Sequence, residues 1–130
     1  RMLIPRAEVA RDLLPDELKA RGADVTVAVA YRTIRPDADA EPIKERLRQG
    51  DIGVVTFTSS SSVRNYVELF ADQNEARALT AGAAVACIGP ITAETAESYG
   101  LKVAIRTKEN TIPALAEAIV GHCAHSSCDA

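Results

Sequence analysis

At 130 residues, 47% of them hydrophobic and 25% charged, the chain has room for one compact domain or for pieces of two. That balance excludes a collagen, a coiled coil and a disordered tail, and lets about 65–70% of the unfolded surface be buried. With 4% aromatic residues and a net charge of −3, the chain has neither base-stacking platforms nor a basic footprint, so nucleic acid is not an expected partner.

In chain order, short β-branched apolar runs alternate with amphipathic segments, the pattern of βαβ units and a parallel sheet flanked by helices. Strands are predicted at Met2 to Pro5, Val25 to Tyr31, Ile52 to Phe57, Ala84 to Ile88 and Lys102 to Ile105. A first helical stretch, Ala7 to Arg21, puts Val9, Leu13, Leu14 and Leu18 on one stripe. It breaks near Leu14, restarts with Pro15 at the first helical position and ends at Gly22. Further helices are predicted at Glu41 to Gln49, closed by Gly50, and at Ser60 to about Phe70, with another turn or two at Glu75 to Leu79. The last two are Ile91 to Tyr99, ending at Gly100, and Ile112 to about His122. Between them, Arg32 to Pro42, with Pro36, Asp37 and Asp39, reads as a surface loop or an interdomain linker. The tail from Gly121 to Ala130 is expected to fray. Because Arg1 and Met2 run straight into a strand, the chain is expected to be a fragment.

No run approaches the ~18–20 apolar residues of a membrane helix, and no secretory signal pattern is present, so the expected location is the cytoplasm. Three cysteines, Cys87, Cys123 and Cys128, do not suggest a disulfide framework, and Cys87 lies in an apolar run suited to a buried thiol. His122, Cys123, His125 and Cys128 are metal-ligand types but lack the paired spacing of a closed site, so no metal is expected. Both histidines lie in that tail, away from any serine turn, and no Ser-His-acid set is apparent. The scattered carboxylates, such as Glu45 beside Arg48, read as solvated surface.

In parallel α/β sheets ligands bind beyond the carboxyl ends of the strands. Two strand-to-helix turns stand out there. Thr58, Ser59, Ser60, Ser61 and Ser62 follow Phe57, and four serines exceed the one hydroxyl that capping requires. Surplus hydroxyls and helix-terminal N–H groups suit a carboxylate or phosphate, while a cap with solvated serines is the plainer alternative. The second turn, Gly89-Pro90-Ile91-Thr92, permits close backbone approach at Gly89 and presets the first helical turn at Pro90, but is also what any tight connection would look like. Neither turn is a Walker loop or a dinucleotide fingerprint. Tyr31, at the end of the second strand, is an aromatic residue at a crevice edge. A phenol with ordinary acidity near ~10 would act there as a donor, with packing at the core edge as the alternative.

Six spaced motifs then match a known family. They are Met2-Leu3-Ile4-Pro5-Arg6-Ala7-Glu8 with Arg11 to Pro15, Gly22 to Val25, Tyr31-Arg32-Thr33, Val55 to Ser60, Ile88 to Ala93, and Thr111-Ile112. In order and separation they resemble uroporphyrinogen-III synthase, over Arg1 to about Val120 and against roughly that enzyme's C-terminal half. The resemblance implies two flavodoxin-like α/β domains joined by a two-stranded linker, with the active site in the cleft between them. Residues 1–33 would close the second domain and enter the linker, 34–120 would form the C-terminal part of the first, and 121–130 the tail. The N-terminal half would be absent, and the full-length protein would carry it, or a fused tetrapyrrole methyltransferase.

The resemblance further implies cofactor-free and metal-free conversion of hydroxymethylbilane to uroporphyrinogen III, with loss of water, ring closure and inversion of the last pyrrole. Tyr31 matches the residue that assists departure of the hydroxyl. Thr58, Ser59, Ser60 and Ser61, with Gly89, Pro90, Ile91 and Thr92, match turns that line the cleft. Ile91 departs from the hydroxyl residue common after the Gly-Pro pair, leaving Thr92 and backbone N–H groups for that role. If the 130 residues were a whole protein, a non-catalytic flavodoxin-like module binding a small anion would be the alternative.

Overall fold

The computed structural model describes residues 1–34 and 39–126. The chain forms two compact units, Arg1–Asp37 and Ala38–Ala130. Both are built of parallel strands with helical crossovers, as expected.

The first unit is a single βαβ turn of chain: β1 (Met2–Ala7), α1 (Leu13–Ala20) and β2 (Val25–Tyr31). The strands pair in parallel from Met2↔Val25 to Arg6↔Val29, and a shift after Arg6 brings Ala7 opposite Tyr31. Pairing thus carries β1 two residues beyond the predicted Pro5, and the Glu8 N–H donates to the Tyr31 carbonyl at 2.9 Å. The helix consequently starts at Leu13 rather than Ala7, and Pro15 is its third residue rather than its first. Its first return bond runs from the Asp16 N–H to the Asp12 carbonyl, so Leu13, Leu14 and Pro15 need no intrahelical donor and proline costs nothing there. The predicted apolar stripe is also corrected. Val9 falls in the turn before the helix, Leu13 and Leu14 are exposed, Leu18 is half-buried, and Pro15 is the buried residue. Two strands offer too narrow a floor to cover a full helical stripe, and Leu3, Val29 and Tyr31 are likewise more than 60% exposed.

The second unit contains α2 (Glu41–Gln49), β3 (Val54–Phe57), α3 (Ser60–Val67), α4 (Gln73–Thr80), β4 (Ala84–Cys87), α5 (Gly89–Ser98), β5 (Val103–Arg106) and α6 (Ile112–Ser126). Its sheet has the order β3-β4-β5, all parallel, in register from Val54↔Ala84 to Phe57↔Cys87. Alternation along the strands divides the core. Phe57, Val85 and Cys87, with Val55 and Val103, pack with Val63 and Val67 of α3 and with Ala93 and Ala96 of α5. Ala86 and Ile105, with Val54 and Ala84, pack with Leu115, Ala118 and Ile119 of α6. Helices on both faces explain why these strands read as unbroken apolar runs. Phe57, Tyr66 and Phe70, three of the five aromatics, stack edge to face, with centroids 5.2 and 5.1 Å apart.

Gly50 and Gly100 take the left-handed conformation at the ends of α2 and α5, as their positions predicted. The predicted helix Glu41 to Gln49 is observed as α2 with Pro42 in its first turn, so where the loop and helix readings overlapped the helix holds, while Pro36 and Asp37 lie outside the described residues. One boundary differs from expectation. Gly121 does not start a frayed tail. The helix runs on through Gly121, which keeps a negative φ, to Ser126, where His125 Nδ1 lies 2.6 Å from the Gly121 carbonyl; residues 127–130 of the expected tail lie outside the described residues.

Candidate functional site

The carboxyl ends of β3, β4 and β5 form one edge of the second unit. The Ile88 N–H donates to the Phe57 carbonyl at 2.9 Å, and the Thr107 N–H to the Cys87 carbonyl at 3.3 Å, so the three strand ends are tied together.

After Phe57 the chain bends at Thr58 and Ser59, and Ser59, in an extended conformation, caps α3. Its hydroxyl accepts the Ser62 N–H at 3.1 Å, while the Ser59 N–H reaches the Ser62 hydroxyl at 3.3 Å. The pair is a capping box in which serine stands where glutamate is usual. Ser59 and Ser61 hydroxyls lie 3.0 Å apart, and the Ser60 hydroxyl lies 2.8 Å from that of Thr95 on α5. Every serine of the four therefore has a structural partner, which accounts for the surplus that capping alone left unexplained. Ser60 and Ser61 contribute first-turn N–H groups, which have no acceptor within the helix, at its positive end. Thr58 is exposed beside them, and Ser59, Ser60 and Ser61 are half-buried.

At the second turn, Ile88 caps α5 without a side-chain bond and Gly89 adopts φ +70°. The Gly89 N–H donates to the Thr107 hydroxyl at 3.1 Å, which in turn donates to the Glu109 carbonyl at 2.8 Å. The Asn110 side chain lies directly against Gly89: a Cβ there would stand 1.6 Å from Asn110 Oδ1. Gly89 and Thr92 are buried, whereas Pro90 and Ile91 are exposed. One amide of this turn is therefore occupied, and the chain after β5 covers its glycine. Thr107 and Asn110 were absent from the sequence reading. The signal available was their position just beyond the last predicted strand.

Cys87 closes β4 beneath this edge. Burial pushes its thiol up to about 11, against the opposing pull of Arg106, so it is a packing residue rather than a nucleophile. Among the described residues no group of three His, Cys, Asp or Glu side chains could hold a metal ion; His122, Cys123 and His125 lie on α6, and Cys128 is outside the described residues.

Tyr31 belongs to the first unit, at the end of β2. The residue is 62% exposed and its carbonyl accepts the Glu8 N–H. Next to it, Arg32 grips the Glu8 carboxylate through two nitrogens, at 2.6 and 3.0 Å, and Arg6 pairs with Asp12 at 2.7 Å. These ion pairs stiffen the turn after β1 and the end of β2 together.

The donors at the edge of the second unit are hydroxyls and amides, groups that hold a carboxylate without exchanging protons at neutral pH. Comparison with known proteins shows the family. The family model described as "Uroporphyrinogen-III synthase HemD" matches residues 1–117. Uroporphyrinogen-III synthase of Synechococcus elongatus is 33% identical over 122 residues, 92% of this chain and 46% of that protein. A putative uroporphyrinogen-III synthase of Methanothermobacter thermautotrophicus is 36% identical over 78% of this chain and 41% of its own length. The crystal structure of uroporphyrinogen III synthase from the extremely thermophilic bacterium Thermus thermophilus superimposes with a TM-score of 0.59 at 20% identity, over 92% of this chain and 46% of that one, a likeness of fold. The chain spans about half the length of these relatives, and it belongs to the uroporphyrinogen-III synthase family.

Proposed function

We propose that this chain is the C-terminal half of a working uroporphyrinogen-III synthase, a cyclising lyase that converts hydroxymethylbilane to uroporphyrinogen III. The observation that carries the reading is the family match over residues 1–117. In the proposed reaction the C–O bond of the terminal hydroxymethyl group breaks and the hydroxyl leaves as water with a donated proton; the freed carbon then bonds to the last pyrrole, which ends inverted and gives up one ring-carbon proton, so that one water is lost overall. Tyr31 supplies the donated proton from the end of β2. Thr58, Ser59, Ser60, Ser61, Gly89, Pro90, Ile91 and Thr92 line the place where acetate and propionate side chains are held. Residues 1–33 complete one α/β domain and enter its linker, and 34–120 complete the other. The N-terminal half of the same enzyme is the required partner, and a fused tetrapyrrole methyltransferase is compatible with the match.

Two features of the residues support the reading. A substrate with many carboxylates needs several weakly acidic donors more than one strong acid, and the first turn of α3 with its flanking hydroxyls is such a set. Inversion of the last ring is selected by how the bilane is held, which is a matter of orientation more than of acid strength. We place the reaction in the cytoplasm; no helix among the described residues is long and apolar enough to cross a membrane.

The test is analysis of the porphyrinogen isomers formed from hydroxymethylbilane by the full-length protein containing this chain. Isomer III is the expected product. Isomer I alone, the outcome of spontaneous closure, would overturn the proposal.

A further inference from the structure

The opposite end of the second unit's sheet, where β4 and β5 begin, carries a hollow of about 400 Å³. It lies under the last turn of α4, the turn 81–83 and the segment 100–102 that leads into β5. That volume falls within the range of small-molecule sites, and most of the lining is small and apolar, with Val85 and Leu101 as its buried floor. Two cations line it, Arg77 from α4 and Lys102 at the start of β5. Among the described residues no carboxylate lies within ion-pair distance of either.

Both α4 and α5 end nearby, and their last carbonyls would ordinarily attract these cations. Three of those carbonyls already have backbone donors. The Thr80 carbonyl accepts the Ala83 N–H, the Ala96 carbonyl accepts from Tyr99 and Leu101, and the Glu97 carbonyl accepts from Gly100. The Thr80 hydroxyl is likewise occupied, bonded to the Ala76 carbonyl at 2.6 Å and to the Tyr66 hydroxyl at 2.9 Å. Arg77 is also aimed: a Cβ on Gly100 would touch its Cδ at 3.5 Å, so the stem of Arg77 lies along the segment that carries Lys102.

We propose that this hollow binds a small organic dianion with an apolar body, its charge held between Arg77 and Lys102 and its body resting on Val85 and Leu101. The site is separate from the serine turn, which follows β3 at the opposite edge of the same sheet, and the proposal is independent of the synthase reading.

The probe is phenyl phosphate, titrated into the ¹⁵N-labelled protein while the amide resonances of Gly82, Gly100 and Lys102 are followed. Saturable shifts at these amides are expected, weaker with inorganic phosphate, which lacks the body, and with phenol, which lacks the charge. The double variant Arg77→Ala/Lys102→Ala is expected to weaken binding by about tenfold or more, since two charge-assisted contacts are lost. Gly82 has open space around it and no positive φ, so Gly82→Leu is expected to fill the hollow and abolish the shifts without disturbing the rest of the spectrum. Absence of saturable shifts, or shifts unchanged in the double variant, would overturn the proposal, as would shifts confined to Ser60 and Ser61.

Discussion

The hydroxyl of Thr95, in the second turn of α5, stands 2.8 Å from the hydroxyl of Ser60, the first residue of α3. It stands equally close to the Ile91 carbonyl of its own helix. The contact ties the start of one helix to the flank of the next and holds the serine turn in place. Thr95→Val preserves shape and removes both bonds, so a loss of about 0.5–1.5 kcal/mol in urea unfolding is expected. Ser60→Ala removes the interhelical bond alone. Combined, the two substitutions should cost less than the sum of their separate effects, because they break one shared bond. Strict additivity would show that the helices are not coupled here.

Gly89 is held by two independent constraints. Its φ of +70° disfavours any side chain, and Asn110 occupies the space a Cβ would need. Gly89→Ala is therefore expected to cost roughly 1–3 kcal/mol from the backbone, with a further loss from displacing Asn110. In an Asn110→Ala background the steric part disappears and the backbone part remains, so the same substitution should cost less. Unfolding curves for the four proteins measure this. An equal cost in both backgrounds would mean that Asn110 does not close the turn.

How much of this was legible beforehand follows from the range of each interaction. Strand and helix identities in the second unit rest on local periodicity and on Gly50 and Gly100, and these were readable. The start of α1 was not, because β1 runs on to Ala7 through pairing with Tyr31, a partner twenty-four residues away. The serine turn was readable as a cap and a cluster of hydroxyls, since Ser59 and Ser62 lie one turn apart. The bond from Ser60 to Thr95, and the cover that Thr107 and Asn110 place over Gly89, depend on which strands become neighbours. Nothing local encodes that. The exposed Leu13 and Leu14 were misjudged for a related reason: a stripe at helical spacing says which residues could be buried, not whether this unit has a floor wide enough to bury them.

Glu75 ties α4 to α2. Its carboxylate accepts the Ala71 N–H at 2.7 Å and pairs with Lys44 at 3.3 Å, with Arg48 at 4.0 Å. The Ala71 N–H above all, then Lys44 and Arg48, hold its carboxyl below the usual range, against a smaller opposing effect of desolvation. A carboxyl whose folded value is depressed stabilises the fold above its unfolded value, and that contribution is lost as pH falls through the folded one. Glu75→Gln should therefore lower Tm relative to the parent at neutral pH, and the gap should narrow on acidification below the ordinary carboxylate range. A gap that stays constant with pH would show that packing, not charge, is what the substitution removes.

Tyr31 allows the chemistry to be separated from the scaffold. Its backbone is fixed by the Glu8 N–H at 2.9 Å, and its neighbour Arg32 is locked onto the Glu8 carboxylate, so loss of the phenolic oxygen should leave the end of β2 in place. If the phenol delivers a proton as the C–O bond breaks, its contribution exists mainly in the transition state. In the full-length enzyme Tyr31→Phe should then lower kcat by about a hundredfold or more while KM changes little. A slower enzyme also competes less well with unassisted ring closure, so the fraction of isomer I should rise as kcat falls. A raised KM with unchanged kcat would make Tyr31 a binding residue, and unchanged kinetics would remove it from the reaction.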